Sequence, residues 1–102
     1  MPKVFVPNRS GHDFSPAKSF GELVYVTDGL VNRYQVNQLY RVCADALKDA
    51  GPDDYILVSS LTIINSIMSM ILAARFGRVN FLLYSKKEDG YEPRTIVLNN
   101  GE

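Results

Sequence analysis

The chain has 102 residues, which leaves room for one hydrophobic core and not two, so a single α/β domain over 1–102 is expected. Lys and Arg number 11 and Asp and Glu number 11, and the resulting zero formal charge removes the sequence-independent attraction of a strongly basic domain for phosphate polymers or anionic lipid. With 46% apolar and 22% charged residues, the composition also excludes disordered, collagen-like and coiled-coil classes.

In chain order, Lys3–Val6 is the first expected strand, ended by Pro7. A polar loop follows, from Asn8 through Ser10, Gly11, His12 and Asp13 to Pro16, where Gly and two flanking prolines oppose a helix. The nearly continuous apolar run Leu23-Val24-Tyr25-Val26 within Gly21–Thr27 fits a strand covered on both faces, closed by Asp28-Gly29. From Asn32 to Ala50, apolar Val36, Leu39, Tyr40, Cys43, Ala46, Leu47 and Ala50 recur at helical spacing. Asn32 is the expected N-cap and Gly51-Pro52 the expected terminator.

Tyr55–Ser59 reads as a buried strand. Leu61–Phe76 reads as a second helix, started by Ser59 or Ser60 and ended by Gly77. Its circumference is apolar apart from a narrow stripe of Thr62, Asn65, Ser66, Ser69 and Ala73, so little of it suits bulk water. Val79–Tyr84 and Tyr91–Leu98 form a hairpin around Ser85–Gly90, with Pro93 marking an edge strand and Asn99–Glu102 expected to fray. The order β-β-α-β-α-β-β predicts a small, mainly parallel, Rossmann-like sheet with an antiparallel C-terminal hairpin strand.

Cys43 is the only cysteine, so no intramolecular disulfide forms and a reducing, cytoplasmic setting is expected. The three apolar residues between Lys3 and Pro7 fall short of the run of roughly 7–15 that an export signal needs. The uncharged stretch Tyr55–Ala74 is broken by Ser59, Ser60, Thr62, Asn65, Ser66 and Ser69, so no membrane partner is expected.

In an open parallel sheet, ligands bind beyond the carboxyl ends of the strands. That edge gathers Arg9, Ser10, His12, Asp28, Arg33, Ser59 and Ser60 as candidate ligand-binding residues. Arg9 suits an anion, the Ser10-Gly11 amides suit a concave donor cluster, His12 offers an imidazole beside Asp13, and Ser59-Ser60 at a helix start offer amides and hydroxyls. The same serines also serve as ordinary caps. Neither Gly-rich nucleotide fingerprint is present. One His and one Cys on different elements do not build a zinc site, so neither metal nor cofactor is expected. Cys43 on an apolar helix face reads as a structural thiol. Tyr34, Tyr40 and Arg33 offer stacking groups, but no basic stripe interleaved with aromatics supports nucleic-acid binding.

The leading expectation is therefore a non-enzymatic assembly or binding protein. It acts as a homo-oligomer, most simply a twofold dimer, through the helix 61–76, with Asn65, Ser66, Ser69 and Ala73 at the interface. The alternative is phosphate-group binding, of a nucleotide or nucleic acid, at the sheet's carboxyl edge, extended in one version to hydrolysis with His12 as acid or base.

Overall fold

A computed structural model describes residues 1–98; the expectation for Asn99–Glu102 lies outside the described residues. Five strands form one sheet: β1 (Lys3–Arg9), β2 (Glu22–Asp28), β3 (Tyr55–Leu57), β4 (Arg78–Ser85) and β5 (Gly90–Val97), in the order β2-β1-β3-β4-β5. The first four are parallel and β5 is antiparallel to β4, so the mixed α/β, mainly parallel architecture with an antiparallel C-terminal pair agrees with the sequence reading. Two helices, α1 (Val36–Ala46) and α2 (Thr62–Phe76), and a 3-10 turn at Ser15–Ser19 make the connections.

The chain moves one way from β1 to β2 and the other way from β2 through β3 to β4. Right-handed crossovers then put the connections on opposite faces. On one face α1 and α2 pack Leu39, Cys43, Leu47, Ile64, Ile67, Met68 and Ile71 against Phe5, Val26, Ile56 and Val79. On the other, Phe14 and Ala17 from the 3-10 segment cover Val4, Val6, Leu57 and Leu82. A single short turn therefore replaces the second helical layer of a doubly wound sheet.

Several boundaries differ from the sequence reading for local reasons. β1 runs through Pro7 to Arg9. The Lys3 amide donates toward the β3 side, to Asp54 Oδ1 at 2.9 Å, whereas the Pro7 carbonyl accepts Thr27 Oγ1 of β2 at 2.6 Å and the pairing of β1 to β2 skips the Pro7 position. Pairing of β1 to β3 ends at Phe5↔Ile56, and the missing Pro7 amide forfeits no ladder bond.

Helix α1 is shorter than Asn32–Ala50 at both ends. Asn32 is not its cap: Oδ1 accepts the Tyr34 amide at 3.1 Å in a turn that precedes the helix. At the other end Arg75 donates to the Leu47 carbonyl at 2.6 Å, and the chain leaves the helix there. Gly51 is not its left-handed terminator; the Gly51 amide instead donates to Asp54 Oδ2 at 2.9 Å in the turn before β3. Gly77 does end α2 as expected, at φ 68°, with its amide bonded to the Ala73 carbonyl. Among the described residues, no helix is long and apolar enough to cross a membrane.

Candidate functional site: a notch at the carboxyl edge of the sheet

Strand lengths build the site. β3 has three residues, whereas its neighbours β1 and β4 have seven and eight and continue past it to Arg9 and Ser85. Beyond Leu57 the sheet therefore has a gap two strand spacings wide, roughly 10 Å between the axes of β1 and β4. The strand order also reverses here, since β1 leads outward to β2 and β3 leads the other way to β4. The resulting cleft, about 750 Å³, is lined by Asn8–Ser10 and His12–Phe14 after β1, Gly29 after β2, Leu57–Leu61 after β3, and Tyr84 and Tyr91 from the hairpin. That volume lies within the usual range of small-molecule sites.

Its floor is the start of α2. Neither Ser59 nor Ser60 caps the helix: Leu61 occupies the N-cap position and no side chain accepts from the first turn. The Val58 amide donates to the Leu82 carbonyl at 3.1 Å, and the next amide with an acceptor is Asn65, bonded to the Leu61 carbonyl at 3.3 Å. The amides from Ser59 to Ile64 thus have no acceptor among the described residues, and they carry the positive end of a 15-residue helix. Asn65 steadies this bend by donating from Nδ2 to the Ser59 carbonyl at 2.8 Å, while its Oδ1 is buried without a partner.

The walls differ in character. On the β2 side, Arg9 lies over the Tyr25 ring at 3.9 Å from its centroid and 3.9 Å from Asp28, an exposed pair that holds the guanidinium at the rim. Asp13 accepts the Ser15 amide at 2.9 Å, and that bond holds its carboxyl below the usual range. On the hairpin side, Tyr84 and Tyr91 pack edge to face with centroids 5.6 Å apart. The Tyr84 hydroxyl donates to Asp89 at 3.1 Å, which raises its pKa, and burial raises that of Tyr91. Both phenols therefore stay neutral near pH 7. Phe14 is buried beside them, 6.1 Å from the His12 ring. The cleft thus joins an anion-seeking floor to an aromatic wall.

Of the residues singled out from sequence, Arg9, Ser10, His12, Ser59 and Ser60 line this one cleft. Asp28 stands just outside, paired with Arg9, and Arg33 lies apart in an exposed loop, stacked on Tyr34 at 5.3 Å. Sequence reasoning missed Tyr84 and Tyr91, although a signal existed: they flank the loop Ser85–Gly90, and hairpin pairing must place them opposite each other at the strand ends. Among the described residues, no group of three or more His, Cys, Asp or Glu side chains is placed to hold a metal ion.

The stripe on α2 is partly covered by the chain itself. Asn65, Ser69 and Ala73 are half-buried and Ser66 is exposed. The Ser66 and Ser69 hydroxyls donate back to the Thr62 and Asn65 carbonyls at 2.9 and 2.7 Å, and Met70 is the main apolar residue left open on this helix, at 57% exposure. No curated protein and no solved structure matches the chain. A family model does match, over residues 2–98, and by that match the chain belongs to the phage Pam3 gp32-like protein family.

Proposed function

We propose that the protein binds a phosphate-bearing small molecule of the nucleotide class in the notch between β1 and β4. The phosphate sits on the free amides of Ser59–Ile64 and the Ser59 and Ser60 hydroxyls, with Arg9 and His12 at the rim, and a planar ring lies against Phe14, Tyr84 and Tyr91. The observation that carries this reading is the uncapped start of α2 opening into a cleft that the short β3 creates.

Strand-order reversal at the same place supports the Rossmann-like reading, with Ser59-Ser60-Leu61 standing where a Gly-rich loop would cradle the phosphate. Asp13 on the wall and Asp28 beside Arg9 offset the local positive charge, so a monophosphate suits the site better than a triphosphate. A nucleic-acid polymer is less well served, since Arg33, Lys86 and Lys87 lie outside the cleft and the net charge is zero. Self-association through α2 ranks below the cleft because the stripe's hydroxyls are already satisfied within the helix.

Titration calorimetry with a panel of nucleoside monophosphates tests the proposal, with Ser60→Glu as the diagnostic variant. A carboxylate at this helix start interacts favourably with the dipole, by about 0.3–1 kcal/mol, so the variant keeps its fold while occupying the phosphate position. The expected result is binding by the wild type and at least tenfold weaker binding by Ser60→Glu. No heat at millimolar nucleotide, or equal affinity in the two proteins, overturns the proposal.

A further inference from the structure

An acid lines a cleft whose floor seeks an anion. Asp13 is the one carboxylate among the described residues that line it, since Asp28 stands outside, and a negative charge there works against a phosphate unless the ligand meets it with hydrogen-bond donors. Its place is at the aromatic end. Asp13 directly precedes Phe14, and the 3-10 turn that follows packs against β5. Its charge also reaches Tyr91, whose pKa is raised by burial first, then by Tyr84 and by Asp13.

The carboxylate is held in place by its own turn. Oδ1 accepts the Ser15 amide at 2.9 Å, and that bond keeps the group ionised near pH 7. An ionised carboxylate accepts about four hydrogen bonds and donates none, so Ser15 leaves acceptor capacity open to a ligand. Among the described residues no ion pair occupies it. On the hairpin wall the Tyr84 hydroxyl is already committed to Asp89 at 3.1 Å. Asp13 is thus the charged group beside the rings, and it is an acceptor only.

We infer, resting on the nucleotide reading above, that the base this cleft prefers is guanine, whose N1–H and exocyclic N2 amino group donate side by side to the Asp13 carboxylate. Among the common bases only guanine presents two adjacent donors on its pairing edge. Adenine and cytosine set an amino group beside an unprotonated ring nitrogen, and uracil sets its N–H between two carbonyl oxygens, so each brings a lone pair toward the carboxylate. Guanine converts a charge that opposes the phosphate into a selective contact. The acid then serves the base end, while the Ser59–Ile64 amides, Arg9 and His12 serve the phosphate end.

Titration calorimetry with guanosine, inosine and adenosine monophosphates, on the wild type and on Asp13→Asn, tests the inference. The asparagine keeps an oxygen for the Ser15 amide, and so the turn, but replaces the other acceptor with a donor that opposes guanine's own donors. The wild type is expected to bind guanosine monophosphate about tenfold or more tighter than adenosine monophosphate, with inosine monophosphate, which lacks the 2-amino group, between them. Asp13→Asn is expected to lose about tenfold on guanosine monophosphate and nothing on adenosine monophosphate, a change of selectivity that a merely structural role for Asp13 would not produce. Equal affinity for the three ligands, a preference for adenine, or unchanged selectivity in Asp13→Asn overturns the inference and leaves the nucleotide reading standing. Absence of binding by all three removes both. The wild-type comparison stands even if the variant does not fold.

Discussion

Asn80 is a buried side chain whose full hydrogen-bonding capacity is used, and truncating it gives a quantitative test of the packing at the edge of the sheet opposite the cleft. The residue is 5% exposed. Its Nδ2 donates to the Pro52 and Asp54 carbonyls at 2.8 and 3.0 Å, and its Oδ1 accepts from Thr95 Oγ1 at 2.8 Å and from Arg78 at 3.1 Å. These bonds tie the entry to β3 to both strands of the hairpin. Asn80→Ala strands the two carbonyls, at roughly 1–3 kcal/mol each where water does not reach them, while Thr95 and Arg78 lie nearer solvent and rehydrate. The expected loss is about 3 kcal/mol, which for a domain of this size lowers Tm by about 12–24 °C. Urea unfolding followed by far-UV circular dichroism measures it, with Thr95→Val, which removes a single bond at an exposed position, expected to cost under about 1 kcal/mol. A loss from Asn80→Ala no larger than that from Thr95→Val would refute the assignment of the network as a buried clamp.

Gly21→Ala places a methyl group into the Pro2 carbonyl, so the start of β1 must shift and the bond from the Glu22 amide to Pro2 is lost; the same unfolding assay should record a loss on the order of 2–3 kcal/mol. The Cys43 thiol is fully buried in the core, and burial pushes its pKa up to about 11 from 9.0. It should react with a disulfide reagent only as fast as the protein opens, and a fast stoichiometric reaction in native buffer would contradict the packing. Because the folded pKa lies above the unfolded one, the associated stability is complete below pH 9 and is lost between pH 9 and 11, on the order of 2–3 kcal/mol; Cys43→Ala should flatten that alkaline decline relative to the wild type.

The order and type of the five strands and two α-helices were readable because each carries its own period and punctuation, as at Gly77, where a left-handed φ is required; the 3-10 segment Ser15–Ser19, which begins in a stretch read as loop, was not. Ends set by tertiary contact were not. Leu47 and Ala50 keep the helical spacing of α1 and still pack on its core, yet α1 stops at Ala46, where the chain tightens into turns closed by the Lys48 amide on the Asp45 carbonyl and the Ala50 amide on the Leu47 carbonyl, and Arg75, remote in sequence, ties down the same Leu47 carbonyl. β3 was expected to reach Ser59 and stops at Leu57, and that two-residue difference, set against the greater length of β1 and β4, is what opens the notch. Strand order was equally hidden, since no local pattern says that β3 pairs with β1 and not with β2. The carboxyl-edge rule nevertheless gathered five residues that share the cleft. It failed for Arg33, whose loop carries it past the β2 end, and for Tyr84 and Tyr91, whose place depends on how the hairpin sits beside β3.

The most direct test of the central claim is a titration of the ¹⁵N-labelled protein with a nucleoside monophosphate, followed amide by amide. Saturable shifts are expected at Ser59–Ile64, with Arg9, Ser10 and Tyr84 following and the far edge at Asn80 unmoved. Saturable shifts centred on any other surface, or a spectrum unchanged at millimolar ligand, would contradict it.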